Sequence, residues 1–366
     1  MIFIVFTLKS FILDPGPAVI LHYKNLYKMK YNLLGNTGMK VSELCLGAMT
    51  FGGTGRFAAI GNLGQESVDG LVKAALDAGV NFIDTANVYS FGLSEELTGQ
   101  AIRNVGVNRD DLVIATKVYR PMGAGPNEQG LSRKHILQQA EASLKRLKTD
   151  YIDLYQIHAF DPLTPLEETL DVLNDLVRSG KVRYIGASNL AAWQLMKALS
   201  YSAYNRVARF VSLQAYYTLA SREMERELIP LLNDQKVGMM VWSPLSGGLL
   251  SGKYKRGQAP EEGRLAGFDI IPVNKERAFD ILDVLHLMAK EKGATVAQLA
   301  LSWLLHRPAV TSVIIGANKP EQLADNLGSV KVEFTEDEMK KLDEVSRLPE
   351  EYPGWILERT TKDRVG

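Results

Sequence analysis

The strongest constraint on the fold is an alternation of two periods along the chain from Tyr31 onward. Short β-rich runs alternate with longer stretches in which apolar residues recur with the 3.6-residue period of a helix. Eight runs are predicted as strands: 41–49, 81–86, 112–118, 152–158, 184–189, 210–216, 238–245 and 312–317. Because strands buried on both faces indicate a parallel sheet, eight strand–helix units predict an α/β fold that closes into a (β/α)8 TIM barrel.

Helix start and stop signals fall between these strands. The apolar stripe after the first strand ends at Gly79, which suits a C-terminal stop. Thr164 is predicted to cap a helix with Pro165 at its first position, and Ser94 to cap the helix after the second strand. Asn318 is predicted to cap a short helix after the eighth strand. Further helices are predicted at 132–148, 189–199 and 221–234.

The connection after the seventh strand is too long for one crossover helix. Between Leu245 and Ser312 the chain holds a glycine-rich stretch, 247–267, and two predicted helices, 277–292 and 295–306. Insertions of this length usually carry function. The prediction is therefore a barrel with a long loop and an extra helix after strand 7, and with a C-terminal helix.

The first 28 residues are predicted to lie outside the fold. Charges and prolines break their apolar patches, and no run approaches the ~20 residues needed to span a bilayer. Two interpretations stay open: a weak membrane or partner anchor, or an extension that precedes a working start at Met29. Residues 29–348 are predicted to form a single barrel domain, followed by a tail over 349–366.

Composition narrows the function classes. The 42 basic residues are balanced by 42 acidic ones, which argues against a nucleic-acid-binding surface with its clustered positive charge. The single cysteine, Cys45, excludes a disulfide framework and a cysteine-based zinc site, and it indicates a reducing, cytoplasmic location. The expected partner is a small molecule, with no nucleic acid and no membrane, and the oligomeric state stays open.

Reactive side chains gather at the carboxyl ends of the strands, where barrels of this kind place their chemistry. Asp84, Lys117 and His158 lie at the ends of the second, third and fourth strands, and Tyr89 follows Asp84 by five residues. Asp84 and Lys117 alone also fit a structural ion pair, and Tyr89 alone a loop aromatic. Only His158 of the five histidines ends a strand, which disfavours a multi-histidine metal site. Together the four residues indicate a catalytic cluster.

These four residue types make chemical sense together. A phenol, with a reference pKa of ~10, is a poor proton donor near neutrality, but a neighbouring ammonium stabilises its phenolate and lowers that pKa. A carboxylate keeps the ammonium charged and in position. An imidazole opposite can hydrogen-bond a carbonyl oxygen on which negative charge develops. The cluster predicts proton delivery to an oxygen that becomes an alkoxide.

A glycine- and serine-rich run after the seventh strand, 242–253, indicates a nucleotide phosphate. Gly247 and Gly252–Lys253 have the spacing of a P-loop, but Tyr254 replaces the Ser or Thr that binds Mg²⁺. The short helix predicted after the eighth strand offers its N-terminus to an anion, and barrels commonly bind phosphate between these two loops. Ordinary glycine-rich turns remain the alternative.

Several ordered motifs resemble those of the aldo-keto reductase family. Residues 79–89 read GVNFIDTANVY, Lys117 lies in IATKV and His158 ends YQIH. The resemblance covers about residues 30–348, and WSPLSGGLLSGKY and IIGANKPEQLADN make it closest to a bacterial branch related to potassium-channel β subunits. It implies that the catalytic tetrad consists of Asp84, Tyr89, Lys117 and His158.

The resemblance also implies NADPH bound in extended form across the barrel mouth, without a Rossmann domain and without a metal. Trp242 would stack on the nicotinamide ring, whose carboxamide would be held by Ser188, Asn189 and Gln214. The pyrophosphate would lie along Ser243, Pro244, Leu245, Ser246, Gly247 and Lys253. The adenosine end would be held by Arg264, Gly316, Asn318, Gln322 and Asn326. Gly47 and Met49 complete the implied cofactor set, although Ala48 stands where many members have Thr.

The implied reaction is hydride transfer from NADPH to an aldehyde or ketone carbon, with Tyr89 as general acid. Arg264, Lys253 and Lys319 are candidates to balance a 2′-phosphate. One alternative is a redox-sensing or channel-type regulatory subunit that holds NADPH with little turnover; such subunits carry Asn where His158 stands, which favours the enzyme. A metal-dependent barrel hydrolase is the other. The substrate pocket is predicted to be lined by aromatic side chains, which suits an apolar or aromatic carbonyl compound. These side chains are Phe91, Tyr119, Phe160, Tyr216 and Phe268.

Overall fold

Eight parallel strands close into a barrel in the computed structural model, which describes residues 28–257 and 271–365 except for the side chain of Arg56. The strands neighbour one another in chain order, and the last pairs with the first. They are β3 (Leu44–Gly47), β4 (Phe82–Asp84), β5 (Val113–Val118), β6 (Ile152–Ile157), β7 (Val182–Ser188), β8 (Phe210–Tyr216), β9 (Gly238–Trp242) and β10 (Val310–Ile315). The predicted (β/α)8 barrel is confirmed, with all eight strands close to their predicted positions.

The first predicted strand, 41–49, is interrupted at Glu43. Its beginning forms β2 (Lys40–Ser42), which pairs antiparallel with β1 (Tyr31–Leu33) in a hairpin that the sequence did not predict. Leu34, the first residue of the hairpin loop, is fully buried and packs in a cluster with residues from six barrel strands. Since that cluster includes Val113 and Ala115, which lie on the same face of β5 as Lys117, the hairpin closes the amino-terminal end of the barrel interior.

Helices surround the barrel, and all of those described except the last bury one face in the core, as their amphipathic patterns predict. In the described residues they are α1 (Gln65–Asp77), α2 (Leu93–Val105), α3 (Arg133–Leu147), α4 (Leu166–Arg178), α5 (Ala192–Asn205), α6 (Leu228–Gln235), α7 (Lys275–Lys292), α8 (Val296–Leu305), α9 (Pro320–Gly328), α10 (Glu336–Ser346) and α11 (Gly354–Val365). The two helices expected after the seventh barrel strand, α7 and α8, are confirmed. α11 lies in the segment expected as a tail.

Three predicted N-caps are wrong, because the side chains that were expected to cap hydrogen-bond elsewhere: Thr164 within its own loop, and Ser94 and Asn318 to residues distant in sequence. The hydroxyl of Thr164 donates to Asp161, and Pro165 is the N-cap of α4. The hydroxyl of Ser94 donates to the carbonyl of Ala48, and α2 begins one residue earlier. The amide of Asn318 donates to the carbonyl of Ile60, and α9 starts after Lys319. The helices predicted at 189–199 and 221–234 begin later, as α5 and α6.

The helices of the described residues can be compared with a membrane-spanning helix, which must be long and apolar. None of the helices within 28–257 and 271–365 combines the length and hydropathy needed to cross a bilayer. Residues 1–27, which hold most of the predicted N-terminal extension, lie outside the described residues, as do 258–270 in the long loop.

Candidate active site

The four predicted catalytic residues meet at the carboxyl ends of β4, β5 and β6. Asp84 is the last residue of β4, and Lys117 is the penultimate residue of β5. His158 directly follows β6, and Tyr89 begins a short turn after β4. The barrel closure brings these ends side by side, because β4 pairs with β5 and β5 with β6.

Asp84 and Lys117 form a buried ion pair. The Lys117 Nζ lies 2.5 Å from Asp84 Oδ2, and both side chains are almost completely inaccessible to solvent. Nζ also donates to the carbonyl of Thr85 at 2.9 Å. The second carboxylate oxygen of Asp84 accepts hydrogen bonds from Gln156 and Gln214 at 3.0 and 2.8 Å. The pair is therefore hydrogen-bonded on both sides, as a buried ion pair must be to persist.

Gln156 belongs to this site and was missed from the sequence. It lies two residues before His158, so both side chains leave β6 on the same face, and it pairs in register with Lys117. The strand period alone could have identified it. Gln214 was expected at the cofactor carboxamide, but in the structure its amide nitrogen donates to Asp84.

The electrostatics of the site keep Lys117 charged. Burial by itself lowers the pKa of the Lys117 ammonium, but the charges of Asp84 and Tyr89 and the hydrogen bonds to them outweigh it and raise the pKa. Cys45 lies nearby inside the barrel, where burial and the charge of Asp84 raise the pKa of its thiol well above the usual range. The lysine is thus an ammonium and the cysteine a neutral thiol near neutrality.

Tyr89 faces both the ammonium and the imidazole. Its hydroxyl lies 3.3 Å from Lys117 Nζ, and the rings of Tyr89 and His158 meet edge to face with centroids 5.8 Å apart. Phe57, from a short helical turn that the sequence did not predict, also packs edge to face with the Tyr89 ring, with centroids 5.8 Å apart. Tyr89 is half-buried, so the phenol is accessible from the barrel mouth.

Polar side chains next to this cluster are bonded to one another. Asn189 has a left-handed backbone with φ 57°. Its amide nitrogen donates to the carbonyl of His158 and to the hydroxyl of Ser188, and its amide oxygen accepts from the indole of Trp242. The ring of Tyr216 lies against Trp242 with centroids 5.0 Å apart. This network fixes the Trp242 ring at the rim, beside His158.

The loop after β9 is tightly wound. Ser243 and Ser246 are left-handed, with φ of 49° and 51°, and Gly247 and Gly248 follow at 68° and 100°. The amides of Ser246, Gly247 and Gly248 donate to atoms inside the loop, and the Ser246 hydroxyl accepts from Tyr216. Pro244 is buried, Leu245 half-buried and Lys253 exposed.

The loop after β10 starts beside it, because β9 pairs with β10. Gly316 is exposed, and a Cβ added there would meet only Thr50, at 4.0 Å, so the backbone borders open space. Gln322 accepts from the backbone amide of Asn318, and Asn326 donates to the carbonyl of Gly316. Lys319, at the start of α9, is exposed.

The remaining sequence-predicted positions divide between this end of the barrel and the undescribed loop. A Cβ at Gly47, the last residue of β3, would lie 2.7 Å from Ile314, so strand packing requires glycine there. Met49 packs in a small apolar cluster with Tyr89. Arg264 and Phe268 lie outside the described residues. No group of three or more His, Cys, Asp or Glu within the described residues could hold a metal ion.

Comparison with known proteins supports one family. The profile of the Aldo/keto reductase family matches residues 43–347. An uncharacterized oxidoreductase of Bacillus subtilis is 37% identical, with 88% of this chain and 99% of the relative covered. The "Probable voltage-gated potassium channel subunit beta" of Arabidopsis thaliana is 39% identical over 83% and 92%. The versiconal hemiacetal acetate reductase of Aspergillus parasiticus is 37% identical over 86% and 96%.

Proposed function

The chain belongs to the aldo/keto reductase family of oxidoreductases, and from this premise we propose that it reduces aldehydes or ketones to alcohols with NADPH. The observation that carries the proposal is the placement of the Tyr89 hydroxyl 3.3 Å from an ammonium that is itself 2.5 Å from a buried carboxylate. A phenol in that position can give up a proton because its phenolate is stabilised at once.

Each residue of the cluster has a separate task. A reduced nicotinamide held at the barrel mouth would supply the hydride that the carbonyl carbon accepts. Tyr89 donates the proton that the carbonyl oxygen needs, and Lys117 stabilises the phenolate that remains. Asp84 holds Lys117 in position and balances its charge. His158, edge-on to Tyr89, orients the carbonyl oxygen toward the phenol and hydrogen-bonds the negative charge that develops there.

The residues at the barrel mouth fit an extended dinucleotide. Trp242 provides a ring for stacking, and Ser188, Asn189 and Gln214 lie next to it as partners for a carboxamide, by exchange of the hydrogen bonds they now make. The exposed ammonium groups of Lys253 and Lys319, the open backbone at Gly316 and the N-terminus of α9 suit the negatively charged part of the cofactor.

Apolar or aromatic carbonyl compounds are the proposed substrates. Phe91, two residues after Tyr89, is 57% exposed although it is a large apolar side chain. Phe160, two residues after His158, packs edge-on against Trp193, which is 63% exposed. Exposed aromatic rings at the rim of a site favour a ligand with apolar surface. The single buried Cys45 supports a cytoplasmic location.

A second candidate is a regulatory subunit that binds NADPH but turns over little. The relative from Arabidopsis thaliana named as a channel β subunit favours it. Against it stands the complete cluster of Asp84, Tyr89, Lys117 and His158, since a binding protein has no need of a proton donor beside an ammonium.

A panel of simple and aromatic aldehydes assayed with NADPH and with NADH tests the proposal. The reductase predicts steady, multiple-turnover consumption of NADPH with at least some aldehydes. Tight NADPH binding with no more than one turnover on any member of the panel would favour the regulatory subunit. A protein that neither binds nor consumes the cofactor would contradict both candidates.

A further inference from the structure

The turn that carries Tyr89 has an unusual backbone. Three consecutive residues after the tyrosine are left-handed: Ser90 at φ 49°, Phe91 at φ 55° and Gly92 at φ 96°. Left-handed conformations are rare for residues with a Cβ, especially bulky ones, and persist only where the surroundings impose them. The position of the Tyr89 phenol therefore depends on what holds this turn.

One support is the first turn of α2, which begins directly after Gly92. Glu95 lies in the first turn of that helix and is completely buried. One of its carboxylate oxygens accepts from the hydroxyl of Thr116 at 2.5 Å, and the other accepts from Arg146 Nε at 2.6 Å. The turn is thus tied through a buried carboxylate to β5 and to α3.

Arg146 also touches the turn directly. A Cβ added at Gly92 would lie 2.7 Å from Arg146 Cδ and 3.0 Å from its Nε, so the arginine stem packs where any other residue would place its side chain. The left-handed φ and this contact together require glycine. Arg146 itself is 18% exposed and donates a further hydrogen bond to Ser143.

Thr116 is adjacent to Lys117 on β5. Successive residues of a strand point to opposite faces, so Lys117 enters the barrel while Thr116 faces the helices. Glu95 therefore hydrogen-bonds to the outer face of β5, one residue before the position at which the Lys117 side chain enters the barrel. The Glu95 carboxylate thus connects two segments of the chain. One is β5, which carries Lys117, and the other is the start of α2, which follows the turn that carries Tyr89.

We propose that Glu95, with Thr116 and Arg146, is a positioning residue that sets the distance between the Tyr89 hydroxyl and the Lys117 ammonium. The inference rests on the proposed role of Tyr89 as general acid. Groups that face Glu95 are Arg146 from α3, Thr116 from β5 and Tyr155 from β6. Burial and the charge of Glu95 raise the pKa of the Tyr155 phenol well above its usual range, so Tyr155 stays neutral.

Two conservative variants test the inference. Glu95→Gln keeps the shape and removes the charge, and Thr116→Val keeps the shape and removes the hydroxyl. Both should lower kcat about tenfold or more with KM and NADPH affinity nearly unchanged, because small displacements of a reacting group are costly. The ionisation of Tyr89 should also move to higher pH, because an ammonium farther away stabilises the phenolate less.

Asp153→Asn is the matched control. Asp153 is also a nearly buried carboxylate, paired with Arg109 at 2.5 Å and accepting from the backbone of Ile114, but it lies toward the amino-terminal ends of the strands. Asp153→Asn should lower the melting temperature without moving the kcat pH profile. A purely structural role of Glu95 would give the same result as the control.

The ionisation of Tyr89 can be measured without turnover from the absorbance of its phenolate. Each protein is titrated with base, and the titration of the same protein carrying Tyr89→Phe is subtracted. The inference requires Glu95→Gln and Thr116→Val to shift this titration upward while Asp153→Asn does not. Superimposable titrations and kcat profiles for Thr116→Val and wild type would overturn it, even if Glu95→Gln failed to fold. Undiminished turnover in Tyr89→Phe would instead refute the proposed function.

Discussion

Lys117 keeps its charge inside the barrel because its partners offset the cost of burial. Its folded pKa is raised, so the ammonium holds its proton more tightly in the folded than in the unfolded chain. The stability that this contributes is fully present below the unfolded pKa of about 10.4 and is lost as the pH rises through the higher folded pKa. Near neutrality the pair with Asp84 is therefore intact.

Replacement of this lysine by methionine should separate chemistry from packing. Lys117→Met leaves Asp84 as a buried carboxylate without its cation, which costs about 3–5 kcal/mol in the free energy of unfolding. We expect a loss of nearly all kcat, with residual activity that follows a different pH dependence, because the phenolate is no longer stabilised. Melting curves and kcat from pH 5 to 10 measure the two effects.

Lys197→Met provides the control for removing a lysine at the same end of the barrel. Lys197 pairs with Glu167 at 3.1 Å, and both side chains are about half exposed, so the pair contributes little. Its kcat profile should match the wild type. If Lys117→Met retained the wild-type shape of the profile, Lys117 would be structural and the tuning of Tyr89 would be refuted.

At the scale of elements, the loops after β9 and β10 are proposed to determine the preference for NADPH over NADH. A 2′-phosphate adds roughly two negative charges, and each charge-assisted hydrogen bond to it contributes ~1.5–3 kcal/mol. Arg264→Ala and Lys319→Ala should then weaken NADPH binding about tenfold or more, at ~1.4 kcal/mol per decade, and NADH binding much less. Fluorescence titration of both cofactors measures the difference.

The exposed Lys340 on α10 supplies the control, and Lys340→Ala should leave both affinities unchanged. Equal losses for the two cofactors in Arg264→Ala or Lys319→Ala would contradict recognition of the 2′-phosphate. The residues would then hold the part that both cofactors share.

Strands and the helix stop at Gly79 were predictable from sequence at this scale, but three helix N-caps were not. Eight apolar runs mark the barrel because each must be buried on both faces. Thr164 is of a residue type that caps helices, yet it hydrogen-bonds to Asp161 in the loop before the helix. Ser94 and Asn318 are also of such types, yet each hydrogen-bonds across the fold to a residue distant in sequence. The hairpin strand Tyr31–Leu33 is too short to show a period. Local pattern cannot identify such long-range partners.

At the scale of the whole molecule, the barrel is proposed to be independent of residues 1–28. Met29 packs against the core beside Gly79, and the backbone of Lys30 donates to Glu43, so the described chain engages the fold from this point. Deletion of residues 1–28 should change the melting temperature and kcat very little. A fall of more than a few degrees would show that the segment docks on the barrel, and loss of membrane association would favour the anchor.

The residues of the catalytic cluster were predictable because the strands were. Once the strands are known, the barrel rule identifies their carboxyl ends, and with them Asp84, Lys117 and His158. Tyr89 lies beyond the strand end, and it was identified from its place on the loop five residues after Asp84; the family motif then gave it the role of proton donor. Glu95 and Arg146 could not be predicted, because a charged residue on a helix is ordinarily exposed and only the packing of α2 against α3 buries Glu95.

The most direct test of the central claim is a single-turnover and steady-state comparison of Tyr89→Phe with the wild type, alongside NADPH titration. The substitution removes the phenolic proton and keeps the ring that packs against Phe57 and His158. We predict loss of nearly all kcat with an unchanged NADPH dissociation constant, because the proton donor is gone and the nucleotide contacts remain. Retained kcat in a correctly folded Tyr89→Phe protein would contradict the assignment of Tyr89 as the general acid.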